Sequence, residues 1–126
     1  MKNYIFLSTV WLISALSLSG QNAVPAIVIH GGAGTIERGM MTDSAEAEIR
    51  AALQAALDVG YTTMENGGSA LEAVAAAIGV LEDAPQFNAG RGAVMTSEGR
   101  HELDASVMYG SNLNAGAVAG DRKSVV

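Results

Sequence analysis

Two rhythms of apolar and polar residues divide this chain. From Asp43 onward, large apolar residues return every fourth position at Ile49, Leu53, Leu57 and Tyr61, and Met64 follows on the same side. That spacing is helical and predicts a helix with one buried stripe. Asp43, with Glu46 three residues later, is expected to cap its start, and Asn66-Gly67-Gly68 to end it. Ser69 and Glu72 then form a second capping box, and Leu71, Val74, Ala75, Ile78 and Leu81 are expected to be the buried face of a second helix, stopped by Pro85. Alanines at 51, 52, 55, 56, 73 and 75–77 favour helix and let two backbones approach closely, so a helical hairpin is predicted.

Beyond Pro85 the period shortens from helical to alternating. Strands are expected at residues 93–96 and 101–108, joined by a turn at Ser97-Glu98-Gly99-Arg100, with Leu103, Ala105 and Val107 on one face. A second turn at residues 109–112 leads to a small-residue strand, 115–119, able to return beside its predecessor. Ahead of the helices, Ala26-Ile27-Val28-Ile29 is a continuous apolar run with β-branched members and reads as a strand buried on both faces, ending at His30. The order of strand, two helices and meander argues for an α/β or α+β layered domain.

Composition adds a leader and removes several function classes. Lys2, a mostly apolar stretch over residues 5–18, and small residues at Ser17 and Ser19 read as a cleavable secretory signal over residues 1–19. The rival, a membrane anchor, needs about 20 consecutive apolar residues, and this stretch is interrupted by Ser8, Thr9, Ser14 and Ser17. An exported protein, periplasmic or secreted, is therefore expected. With no cysteine there is no disulfide framework, thiolate metal site or thiol nucleophile. The net charge of −6 has no basic stripe to offset it, so no nucleic-acid partner is expected.

Three segments carry candidate chemistry. Gly31, Gly32 and Gly34 follow His30, but a dinucleotide fingerprint needs a third glycine where Glu37 stands and a helix opening directly from the loop. An oxyanion loop of the α/β-hydrolase kind needs a G-x-S-x-G elbow, and the nearest match, Gly67-Gly68-Ser69-Ala70-Leu71, lacks the last glycine. On residues alone, this is a turn at a strand end. Phe87-Asn88-Ala89-Gly90-Arg91-Gly92 admits two readings, a polar turn or a loop whose inward carbonyl groups suit a hard cation. His101-Glu102-Leu103-Asp104 looks like a metal or acid–base cluster, yet strand alternation sends His101 to the face opposite Glu102 and Asp104, which favours a structural role.

The glycine turn beginning at His30, the Phe87–Gly92 loop and the segment continuing to Gly120 together resemble the N-terminal half of the plant-type L-asparaginase/isoaspartyl peptidase family, the threonine-nucleophile Ntn hydrolases. The resemblance spans residues 26–120. It implies the N-terminal, α-subunit half of a four-layer αββα sandwich, so the domain assignment is a signal peptide at 1–19, a partial hydrolase domain at 20–120, and a non-native tail at 121–126, where the family's pattern breaks. It further implies that His30, Gly31, Gly32 and Asn88 line the active site. Main-chain carbonyls of Leu81, Glu82, Ala84, Phe87, Ala89 and Arg91 would hold a structural sodium ion, Arg91 replacing a more usual apolar residue. No other cofactor is implied.

In that family the nucleophilic threonine is freed by self-cleavage at a Gly-Thr bond further along. Gly34-Thr35 lies inside the glycine motif without an acidic linker before it and does not match that bond. No catalytic nucleophile is therefore expected in this chain, and the chain alone is expected to be inactive. The parent enzyme would act on L-asparagine or β-aspartyl dipeptides, would need a β-subunit segment, and would form a dimer of αβ units. A glycosylasparaginase of the same superfamily and a secreted, non-enzymatic binding domain are the alternatives.

Overall fold

The computed structural model describes residues 24–32 and 39–121; the expected signal, Gly34-Thr35 and residues 122–126 lie outside that range. Two helices and one antiparallel ribbon make up the regular structure, a mixed α+β arrangement. Helix α1, Asp43–Glu65, is capped one residue earlier than expected: Thr42 is the N-cap, its hydroxyl accepting from the Ala45 amide at 3.2 Å. Asp43 instead lies inside the first turn with Glu46, where negative charge favours the helix dipole. Helix α2, Ala70–Asp83, starts at the expected Ser69–Glu72 capping box. Its end is set by Ala84, held extended ahead of Pro85.

The hairpin forms as the alanine content predicts, with α1 turning its expected side inward and α2 a different one. Ala56 and Gly60 are the buried positions of α1, and Ala73, Ala77 and Leu81 those of α2. Ile49 and Leu53 only flank this seam. Val74 and Ile78, expected inside, are 47% and 45% exposed. Small side chains are the reason. A Cβ at Gly60 would lie 3.1 Å from the Ala73 carbonyl oxygen and 3.3 Å from the Ala77 Cβ, so the helices meet where their side chains are smallest and larger ones are displaced sideways.

Residues 26–29 depart from expectation as well. They form no ladder, and instead of two buried faces they have one: Ile27 and Ile29 turn toward the helices while Val28 is 93% exposed. Ile27 reaches the α1–α2 seam, where its Cδ1 would meet a Gly60 Cβ at 2.5 Å. The core is the cluster of Ala56, Ala77, Leu81 and Phe87, with Ile27, Ile29 and Leu53 packed against it.

Residues 93–96 are not a strand either. The turn that follows is present, with the Gly99 amide donating to the Thr96 carbonyl at 2.9 Å and the Thr96 amide to the Arg100 carbonyl at 2.7 Å. The ladder begins later. Strand β1, Leu103–Tyr109, pairs antiparallel with β2, Asn114–Asp121, in a register that sets Ala105 opposite Val118 and Tyr109 opposite Asn114. β2 thus extends one residue into the span read as a tail. Among the described residues, no helix is long and apolar enough to cross a membrane.

Candidate functional site

The α2 C-terminus sets the chemistry of the loop that follows it. A helix end leaves carbonyl groups without intrahelical partners, and the chain here folds back over them. Gly90, in a left-handed conformation at φ 47°, lies so close to the Glu82 carbonyl oxygen that a side chain would collide with it. Gly92 is equally pressed by the Phe87 carbonyl oxygen, and a Cβ there would lie 2.6 Å from that of Pro85. Both glycines belong to a single 3-10 turn, Gly90–Gly92. The loop therefore gathers backbone oxygen atoms around backbone that carries no side chains.

Of the six carbonyls expected to face a cation, five divide into two kinds. Those of Leu81, Ala84 and Ala89 accept turn hydrogen bonds from Ala84, Phe87 and Gly92, at 3.3, 3.3 and 3.0 Å. Those of Glu82 and Phe87 accept none among the described residues and crowd the glycines. The Arg91 side chain is exposed. A carbonyl keeps a second lone pair after one hydrogen bond, so an all-oxygen, main-chain donor set fits the chemistry of a hard cation. No cluster of three His, Cys, Asp or Glu side chains able to hold a metal occurs among the described residues.

Asn88 fixes the exit from this loop. Its side-chain oxygen accepts from the Val94 amide at 2.9 Å, and with Glu82 it lines a cleft of about 310 Å³ between the α2 end and the start of β1. Glu102, Leu103, Asp104 and Ala105 also line that cleft, and His101 does not. Asp104 has a structural partner: its Oδ1 accepts from the Gly120 amide at 2.9 Å, where the β1–β2 register is irregular.

The glycine turn at His30 comes to the same region through Phe87. His30 Nδ1 accepts from the Gly32 amide at 3.1 Å, and Gly32 takes φ 103°. A Cβ at Gly31 would be 3.1 Å from Leu53 and 3.7 Å from the Phe87 ring. Phe87 is thus a buried hinge-pin: its ring abuts the glycine turn, its carbonyl belongs to the oxygen-lined loop, and its neighbour Asn88 faces the cleft. Its ring and Leu53 were not singled out as site-forming by sequence. The signal available was that Phe87 is the sole aromatic residue between Tyr61 and Tyr109.

Three threonine hydroxyls of the described residues have local duties. Thr42 caps α1, Thr63 donates to the Val59 carbonyl at 2.8 Å, and Thr96 accepts from the Arg100 amide at 3.3 Å.

Comparison with known proteins gives this arrangement its relatives. A family model described as asparaginase matches residues 23–124. The chain belongs to that asparaginase family. It is 51% identical to the isoaspartyl peptidase of Escherichia coli strain K12 over 94 residues, 75% of this chain and 29% of that protein. Identity is 47% over 95 residues to a plant-type L-asparaginase of Pyrococcus horikoshii, and 42% over 98 residues to an isoaspartyl peptidase/L-asparaginase of Bos taurus, covering 75% and 78% of this chain and 30% of each relative. The chain spans about 30% of the length of the curated relatives it matches. Membership in this asparaginase family gives the juxtaposed glycine turn and Phe87-Asn88 loop a setting among hydrolases.

Proposed function

We propose that residues 20–120 form the amino-terminal, α-subunit part of an exported threonine-nucleophile hydrolase acting on L-asparagine or β-aspartyl dipeptides. The observation carrying this reading is the packing of Gly31 against Phe87, beside Asn88, in a chain 51% identical over 94 residues to a protein named isoaspartyl peptidase. In this reading the nucleophile is a threonine freed by self-cleavage in the remaining polypeptide. Its own amino group serves as the base for its hydroxyl, and an acyl-enzyme passes to water.

This part of the chain supplies surroundings for that chemistry. His30, Gly31 and Gly32 bring a main-chain edge to the reacting bond with no side chain intervening, and Asn88 orders the adjoining loop. A sodium ion on the carbonyls of Leu81, Glu82, Ala84, Phe87, Ala89 and Arg91 would supply positive charge that holds the loop closed. The four-layer sandwich, the dimer of αβ units, the secretory signal at 1–19 and the non-native tail from 121 belong to the same proposal.

The test is an assay of ammonia and aspartate release from L-asparagine, from a β-aspartyl dipeptide and from sugar-linked asparagine. It compares the 126-residue chain with the chain fused to the carboxy-terminal remainder of the Escherichia coli relative. Background activity of the chain and turnover of the first two substrates by the fusion are expected. Turnover of the sugar-linked substrate alone would favour a glycosylasparaginase. Activity in the unfused chain would overturn the assignment of the nucleophile to the remainder, and an inert but folded and self-cleaved fusion would favour the binding-domain reading.

A further inference from the structure

The turn between α1 and α2 contains an Asn-Gly step, Asn66-Gly67, and its geometry both exposes the pair and restrains it. Asn66 is exposed, and nothing lies within 4 Å of where a Gly67 side chain would be. Glycine offers the least hindered backbone nitrogen for attack on the preceding asparagine side chain. The cap opposes that attack. Gly67, at φ 86°, donates its amide to the Met64 carbonyl at 3.0 Å, Gly68 donates to Thr63 at 2.9 Å, and Asn66 donates to Thr62 at 3.0 Å. This is the doubly bonded glycine cap of a helix C-terminus. At a ψ of 8° for Asn66, the Gly67 nitrogen is rotated away from the side-chain carbon it would have to reach.

We propose that Asn66-Gly67 is a self-modification site held in check by the α1 cap, converting to an isoaspartyl or aspartyl linkage when the cap opens. The Gly67 nitrogen bonds to Asn66 Cγ and gives up its proton to solvent; the side-chain nitrogen takes one up, its bond to Cγ breaks, and it leaves as ammonia. Water then opens the five-membered imide at either carbonyl. No electrons are transferred. Opening at the Asn66 main-chain carbonyl routes the backbone through Cγ and lengthens the turn by one carbon.

The consequence is local and specific. Either product puts a carboxylate beside Glu65 at the negative end of α1, whose last turn has no basic residue to balance it. The lengthened backbone also displaces Gly68, which cannot shift freely: a Cβ there would lie 2.7 Å from the Thr63 carbonyl oxygen. Modification thus loosens the connection that sets α1 against α2.

The experiment incubates the full 126-residue chain at mildly alkaline pH, in buffer and in concentrated urea, and follows each asparagine by peptide mapping with mass spectrometry. In urea, Asn66 should convert faster than Asn88, Asn112 or Asn114, and Gly67→Ala should slow it severalfold. In buffer, the Asn66 rate should fall roughly tenfold, equivalent to a cap-opening free energy of about 1.4 kcal/mol. Equal Asn66 rates in buffer and urea, whatever the cause, overturn the proposal. So does an Asn66 no faster than the other asparagines in urea.

Discussion

Gly92 shows at the scale of one residue why the loop after α2 needs glycine at particular positions. The Phe87 and Pro85 carbonyl oxygens occupy the space that a Cβ would need, and both belong to backbone rather than to a movable side chain. Gly92→Ala is expected to destabilise the chain by about 1–3 kcal/mol, as overpacking does elsewhere. Gly79 provides the contrast. It lies inside α2 with nothing within 4 Å of a Cβ, so Gly79→Ala is expected to stabilise by roughly 0.5–1 kcal/mol through helix propensity. Urea unfolding of both variants checks the pair. A Gly92→Ala protein as stable as the original would mean that the oxygen-lined loop is not packed as described.

Glu72 gives a pH dependence at the same scale. Hydrogen bonds from the Ser69 backbone amide and then the Ser69 hydroxyl hold its carboxyl below the ordinary glutamate range. A folded-state pKa below the unfolded one stabilises the folded form above the unfolded pKa, and that contribution is lost as pH falls through the folded value. Helix α2 should therefore fray from its start in acid. A peptide of residues 67–84, titrated by NMR and followed by circular dichroism, is expected to show Glu72 titrating below an ordinary glutamate, and Ser69→Ala should restore the ordinary value. An unchanged titration in Ser69→Ala would remove the capping box as the cause.

At the scale of elements, the helix ends were legible in sequence to within a residue, and so was the inner side of α1, but the inner side of α2 was not. Ser69, Glu72, Asn66-Gly67-Gly68 and Pro85 act on neighbours one to four residues away, so their effects can be read locally. Which side of α2 meets α1 depends on how closely two backbones approach. Helix α2 is apolar around most of its surface, so periodicity alone could not choose between the Ala73–Ala77–Leu81 face and the one carrying Val74 and Ile78. The close contact at Gly60 decided it. Residues 26–29 failed for the same reason: continuous apolarity signals burial only if partners exist on both sides, and here the helices cover one side. The site was legible as separate motifs, but their meeting depends on the Phe87 ring, whose direction no spacing reveals.

This choice of faces is measurable. Leu81 is 6% exposed within the seam, and Leu81→Ala is expected to cost about 2–5 kcal/mol. Ile78→Lys puts a charge on a half-exposed position and should change stability by no more than about 0.5 kcal/mol in this chain. Thermal unfolding of the two variants orders them. If Ile78→Lys proves the more damaging, the seam runs through Val74 and Ile78 after all.

At the scale of the whole molecule, stability is unevenly distributed. The helical hairpin has a shared core in Ala56, Ala77, Leu81 and Phe87, whereas the ribbon has none: Val107, Met108 and Val118 are 54%, 55% and 51% exposed. Full burial of such side chains contributes roughly 1.5–3 kcal/mol each, so the ribbon forgoes several kcal/mol that the helices gain in part. Two strands alone are marginal in water, and each has an outer edge with no partner among the described residues. Hydrogen exchange should therefore divide the chain. Amides at Ala56, Gly60, Ala77 and Leu81 are expected to exchange slowest, and those of Leu103–Tyr109 and Asn114–Asp121 at least about tenfold faster, because local opening is easiest where few apolar contacts are lost. In the fusion to the remainder of the Escherichia coli relative, added polypeptide covering the ribbon should bring its protection up to that of the helices. Equal protection in the unfused chain would show that the ribbon is held by contacts other than those described, and unchanged fast exchange in a folded fusion would show that the sheet is not completed by that remainder.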